Sequence, residues 1–172
     1  GGGGGGDAES PSSRGWVSDP DGDSEGRPIV IDLGSGSLKA GWAGEMVPRI
    51  VLPSITGRPK HAAVMRDGDA KQVYVGDEAQ ARRGMLSLSH PVARGAVVDW
   101  ADAELLYAAA FDELGARADA HPVLLTEAAL TPVRNRVRAA ELLFETMGVP
   151  ALCVRQQAPL ALAAATTTTT TS

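Results

Sequence analysis

PIVIDLGSGSLKAGWAGEMVPRIVLPSITGRPK, residues 28–60, carries most of the information about the fold. A short apolar run, Ile29-Val30-Ile31, ends on Asp32. The turn Gly34-Ser35-Gly36-Ser37 follows, and Lys39 then heads a second apolar run. Runs at 29–33, 38–43 and 49–52, separated by turn chemistry, predict a three-stranded antiparallel meander. Pro48 and Pro53 bracket its third strand, where a missing N–H does least harm.

The turn is a candidate anion site. Successive N–H groups in a Gly-rich turn form a concave nest for oxyanions, with glycine supplying the φ values involved. Ser35 and Ser37 add hydroxyl donors, and Lys39 adds a compact positive charge. Asp32 is placed to hold Mg²⁺ through water, because that ion gives up its hydration reluctantly. No G-x-x-x-x-G-K-[ST] motif occurs, and Lys39 stands where a dinucleotide fingerprint wants glycine. Taken locally, an ordinary Gly-Ser hairpin accounts for the same residues.

Outward from this stretch the chain alternates in character. Residues 1–28 are a glycine-, serine- and aspartate-rich leader with Trp16 as a large apolar residue, too poor in apolar surface to offset ordering entropy, so disorder is expected there. Residues 57–72 are polar and irregular and predict an exposed loop or a flexible insertion between strands. Val73–Val75 predicts a strand, and DEAQARRG (77–84) a helix capped by Asp77 and stopped by Gly84. Residues 95–98 read as a strand. A helix then runs from an Asp99 cap to about Leu114, with Asp102 as its capping-box acid. The apolar run Pro122–Thr126 predicts a central buried strand. Thr131, Pro132 and Gly148 delimit a helix whose Val133, Val137, Ala140, Phe144 and Met147 repeat at core-facing spacing. A strand at 150–154 and a helix at 157–165 follow, before a low-complexity threonine tail at 166–172. This order predicts an α/β domain with a mixed sheet over 29–165.

Composition narrows the function. The 172 residues are 44% hydrophobic with a net charge of −5, which argues against a basic nucleic-acid-binding surface. One cysteine, Cys153, excludes an internal disulfide. No apolar run is long enough for a membrane helix. A cytoplasmic or nuclear setting is the default expectation. His61, His90 and His121 lack metal-ligand spacing and are expected on the surface or in turns.

Three stretches carry a resemblance. DLGSGSLKAGWAGEMVPRIVLPSITGRPK, VYVGDEAQARRG and HPVLLTEAALTPVRNRVRAAELLFETMGVPAL resemble the actins and actin-related proteins, and the likeness extends over about 29–165. It implies the actin/Hsp70/sugar-kinase (ribonuclease H-like) fold, in which two α/β domains clamp ATP and a divalent metal. Residues 29–165 would then be the N-terminal domain, incomplete by itself. By resemblance, Gly34, Ser35, Gly36, Ser37 and Lys39 contact phosphates and Asp32 sits in the Mg²⁺ water shell. Gln157 orients the attacking water; alone it would read as a polar residue at a helix start. Residues 60–72 correspond to a subunit-gripping loop, made more charged here by Arg66, Asp67 and Asp69. Arg94 stands where actins commonly carry a modified histidine, and Leu33 replaces a polar residue.

The family also uses a second phosphate loop and an adenine pocket in the half that would follow residue 165. Without them, weak or absent ATP·Mg²⁺ binding, no independent hydrolysis or polymerisation, and uncovered apolar surface are expected. The resemblance implies a cytoskeletal protein whose partners are actin-fold subunits or actin-binding proteins, with no direct nucleic-acid or membrane contact. A non-enzymatic interaction module, and a truncated product without function, are the competing readings.

Overall fold

The computed structural model describes residues 26–60 and 71–168. The expected meander forms: β1 (Ile29–Leu33), β2 (Ser37–Trp42) and β3 (Ile50–Pro53) pair antiparallel, with Asp32 opposite Lys39 and Lys39 opposite Val51. Residues 56–60 and 71–89 build a smaller unit. Here β4 (Thr56–Pro59) lies between β5 (Tyr74–Val75) and β6 (Leu86–Ser89), with α1 (Gly76–Ala81) beside them. A hairpin of β7 (Val92–Ala93) and β8 (Ala96–Val97) leads to α2 (Trp100–Leu114). The chain then returns to the first sheet as β9 (Val123–Glu127), crosses over through α3 (Val133–Glu141), and re-enters as β10 (Leu152–Gln156) before α4 (Gln157–Thr168).

The main sheet has the order β10-β9-β1-β2-β3, with β1, β9 and β10 parallel. β1 is thus the pivot between an antiparallel and a parallel half. Registration puts Ile29, Ile31, Leu33, Leu38, Ala40, Trp42, Leu52, Val123 and Leu125 on one face. Ala103, Leu106, Tyr107, Ala110 and Phe111 of α2 cover that face, joined by Ala139, Leu142 and Leu143. α2 begins at Asp99, whose Oδ1 accepts from the Asp102 N–H at 3.1 Å, and ends at Gly115 in the left-handed conformation, φ 65°. The opposite face carries Val30, Asp32, Lys39, Leu124, Thr126 and Cys153, all half-buried except Lys39, which is exposed.

Several expectations are corrected. Gly57–Pro59 opens the stretch expected to be an exposed loop or insertion, yet with Thr56 it forms the middle strand of the small sheet. Gly57 is buried there, and a Cβ on it would come within 2.8 Å of Leu86 Cδ1; the polar composition hid a strand paired on both edges. Residues 61–70 lie outside the described residues, as do most of the leader and Thr169–Ser172. β6, unanticipated, has the alternation Leu-Ser-Leu-Ser that marks a half-buried strand.

α3 buries a different stripe from the one expected. Val133, Val137 and Phe144 are exposed, whereas Asn135, Ala139, Leu142 and Leu143 face the core. Two features set this phase. Asn135 Nδ2 donates to the Val97 carbonyl at 2.8 Å, fixing the helix's rotation. Leu142–Thr146 then widens into a π-turn, which brings both leucines inward. Thr131 does not cap this helix; Pro132 precedes it and offers no side-chain cap.

Asp102 is not a reciprocal cap either. Its carboxylate is 1% exposed and takes Thr56 Oγ1 at 2.7 Å and both Arg58 amino nitrogens at 3.2 and 2.6 Å. His121, expected on the surface or in a turn, lies at a bend but is buried, with Nδ1 3.0 Å from the Arg27 carbonyl and its ring edge-on to Trp42 at 4.9 Å.

Candidate functional site

The parallel strands end side by side, and the carboxyl ends of such strands are where α/β sheets place ligands. Asp32 is next to last in β1, Thr126 is next to last in β9, and Gln157 begins α4 directly after β10. Their side chains meet. Asp32 Oδ1 accepts a short bond from Thr126 Oγ1 and another from Gln157 Nε2 at 2.6 Å. Gln157 Nε2 is also 3.5 Å from Thr126 Oγ1. Residues separated by up to 125 positions in sequence thus share one oxygen atom.

Beside this cluster lies the Gly34–Gly36 turn. The Gly34 N–H donates to the Ser37 carbonyl at 3.0 Å, and the Gly36 carbonyl accepts from Ser54 N–H at 3.1 Å. Neither glycine uses a left-handed φ, so the nest conformation expected from sequence is not the one adopted. Of the two, only Gly34 is short of room. A Cβ at Gly34 would sit 3.1 Å from the Ser37 oxygen, and Gly36 presents bare backbone to open space, with nothing within 4 Å of a Cβ placed there.

Ser35 ties the turn to the β7–β8 hairpin: its Oγ accepts from Gly95 N–H at 3.0 Å. A hydroxyl that accepts one bond still has its proton to donate. The hairpin reverses through Arg94 and Gly95, at φ 53° and 77°, a backbone path costly for arginine and natural for glycine. Lys39 projects from β2 on the same side of the sheet as Asp32, is exposed, and takes no acid partner among the described residues.

Every sequence-predicted site residue therefore falls in one region, at the β1–β2 turn and the carboxyl end of the parallel strands. Sequence reasoning missed two contributors, Thr126 and Gly95. The signal for Thr126 was present: it is the polar residue closing an otherwise apolar run. For Gly95 the signal was its pairing with Arg94 in a tight hairpin. Next to the cluster, Glu127 holds Arg136 through both carboxylate oxygens. A cavity of about 40 Å³ lies between this pair and Tyr107. Thr131 Oγ1, on its wall, is buried without a partner among the described residues. Also among these residues, no group of three His, Cys, Asp or Glu could enclose a metal.

A mixed sheet pivoting on β1, with helices packed on it and a Gly-Ser turn at the parallel strands' carboxyl ends, defines an α/β protein. The family model described as actin matches residues 23–171. The chain belongs to the actin family.

Proposed function

We propose that this chain supplies the first phosphate loop of an actin-type ATP·Mg²⁺ clamp, together with a surface for contact with other actin-fold subunits. The observation that supports it most is the Asp32–Thr126–Gln157 cluster beside the bare backbone of Gly36. The donor set fits the group. Gly34 closes the turn with its own N–H committed to Ser37; Ser35, Gly36 and Ser37 offer backbone and hydroxyl donors to phosphate oxygens, and Lys39, without an acid partner among the described residues, offers an ammonium. Asp32 Oδ2 takes no hydrogen bond among the described residues and is free to accept from the waters of a hydrated ion. A single carboxylate suits Mg²⁺ held through water rather than by a protein cage. Bound Mg²⁺ would neutralise phosphate charge. With its amide nitrogen on Asp32, Gln157 directs Oε1 away from the carboxylate, where it can orient a water without deprotonating it. A cytoskeletal setting in the cytoplasm accompanies this reading, and no turnover by the chain alone is part of it.

Equilibrium dialysis against ATP with Mg²⁺ tests the proposal. One loop should bind with Kd on the order of 1 mM, lost in Asp32→Ala and Lys39→Ala variants whose circular dichroism matches the parent. No binding by the parent at roughly 10 mM ATP overturns the loop assignment.

A second reading, a non-enzymatic module that binds actin or actin-binding proteins, draws support from α3. Val133 and Val137, 70% and 52% exposed on its outward face, and Leu130, 94% exposed in the turn before it, form an apolar patch. Co-sedimentation with actin filaments, abolished by Val133→Lys with Val137→Glu, favours this reading; retention by the double variant removes its support.

A further inference from the structure

We propose that Thr126 is a positioning residue: its hydroxyl fixes the Asp32 carboxylate, and through it the direction of the Gln157 amide. The assignment rests on reading Asp32 and Gln157 as the metal-water and water-orienting groups.

Thr126 sits on β9, between the strand that carries Asp32 and the strand that delivers Gln157. A β-branched residue on a central strand has little χ1 freedom, so its hydroxyl is a rigid donor. The Thr126 proton goes to Asp32 Oδ1, and its oxygen remains as an acceptor 3.5 Å from Gln157 Nε2. The carboxylate has no proton to give, so the end of the Gln157 side chain facing Oδ1 at 2.6 Å is the NH₂ end. Two consequences follow. Oδ1 is occupied by two donors, which leaves Oδ2 as the oxygen directed at a hydrated ion. Gln157 cannot turn its amide over without setting its carbonyl oxygen against a carboxylate oxygen, a repulsive contact. Serine can donate the same bond; valine, of similar shape, cannot.

The test uses the full chain labelled with ¹⁵N at glutamine side-chain amides. In Thr126→Val, exchange of the Gln157 NH₂ protons with water should accelerate about tenfold or more, the scale of a charge-assisted hydrogen bond. Thr126→Ser should restore the parent rate. A purely structural role for Thr126 would lower stability without a Gln157-specific change. In parallel, the ratio of ATP affinity with Mg²⁺ to that with chelator should fall toward one in Thr126→Val and recover in Thr126→Ser. Should the valine variant not fold, Thr126→Ala is read in the same way. An unchanged Gln157 exchange rate in a folded Thr126→Val or Thr126→Ala protein overturns the proposal. Failure of the parent to bind ATP overturns the phosphate-loop reading instead, and the exchange measurement still decides the role of Thr126.

Discussion

Gly95 shows how much one residue can hold. Its φ of 77° and a Cβ that would lie 2.8 Å from Ala128 Cβ leave no room for a side chain, while its N–H is the donor to Ser35. Gly95→Ala should therefore cost about 1–3 kcal/mol and loosen the turn. Thermal unfolding would show the first effect, and amide exchange at Gly34 to Ser37 the second. A fully stable Gly95→Ala protein would contradict the close approach. Sequence reading placed Ser35 in the site but assigned glycine's conformational freedom to Gly34 and Gly36. The positive φ values lie instead at Arg94 and Gly95, because the turn at 34–36 closes without leaving the ordinary regions. A pair of glycines in a motif does not report what holds each one: Gly34 is crowded by the Ser37 oxygen, while Gly36 faces open space in an ordinary backbone conformation.

At the scale of elements, the joint between the small sheet and α2 rests on Asp102. Burial pushes its carboxyl toward neutrality, but hydrogen bonds from Arg58, Thr56 and Ser89 and the charge of Arg58 outweigh this, holding it below the usual aspartate range. A carboxylate depressed in the folded state contributes stability above its unfolded value, about 3.9, and loses it as pH falls through the lower folded value. Asp102→Asn should cost about 2–3 kcal/mol near neutral pH. The gap between the two proteins should shrink below about pH 4. Chemical denaturation across pH checks both, and a gap constant down to acid unfolding would count against the strut.

The same element scale explains what periodicity could not supply. α2 was legible because Leu106 and Ala110 mark one buried face and Asp99 caps it. α3 was not, since two stripes compete along its length. The winning one contains Asn135, which no apolar count selects, and depends on a π-turn that changes the helical phase. β4 was hidden for a related reason: Thr-Gly-Arg-Pro becomes a strand through its partners on both edges and the Arg58–Asp102 pair.

For the whole molecule, alternation of strand and helix predicted the α/β class and turn-separated apolar runs the meander, and the family assignment fits that architecture. What local pattern could not provide is convergence. Asp32, Thr126 and Gln157 come together only because β9 and β10 add in parallel to β1, so that three strand ends share one edge of the sheet. The central claim is that this edge receives a metal-bound triphosphate. Amide chemical-shift mapping during titration with ATP·Mg²⁺ tests it most directly. The account predicts saturable shifts confined to Asp32, Gly34–Ser37, Lys39, Gly95 and Gln157, absent in Asp32→Ala. Shifts that map elsewhere on the chain, or that persist unchanged in Asp32→Ala, would contradict it.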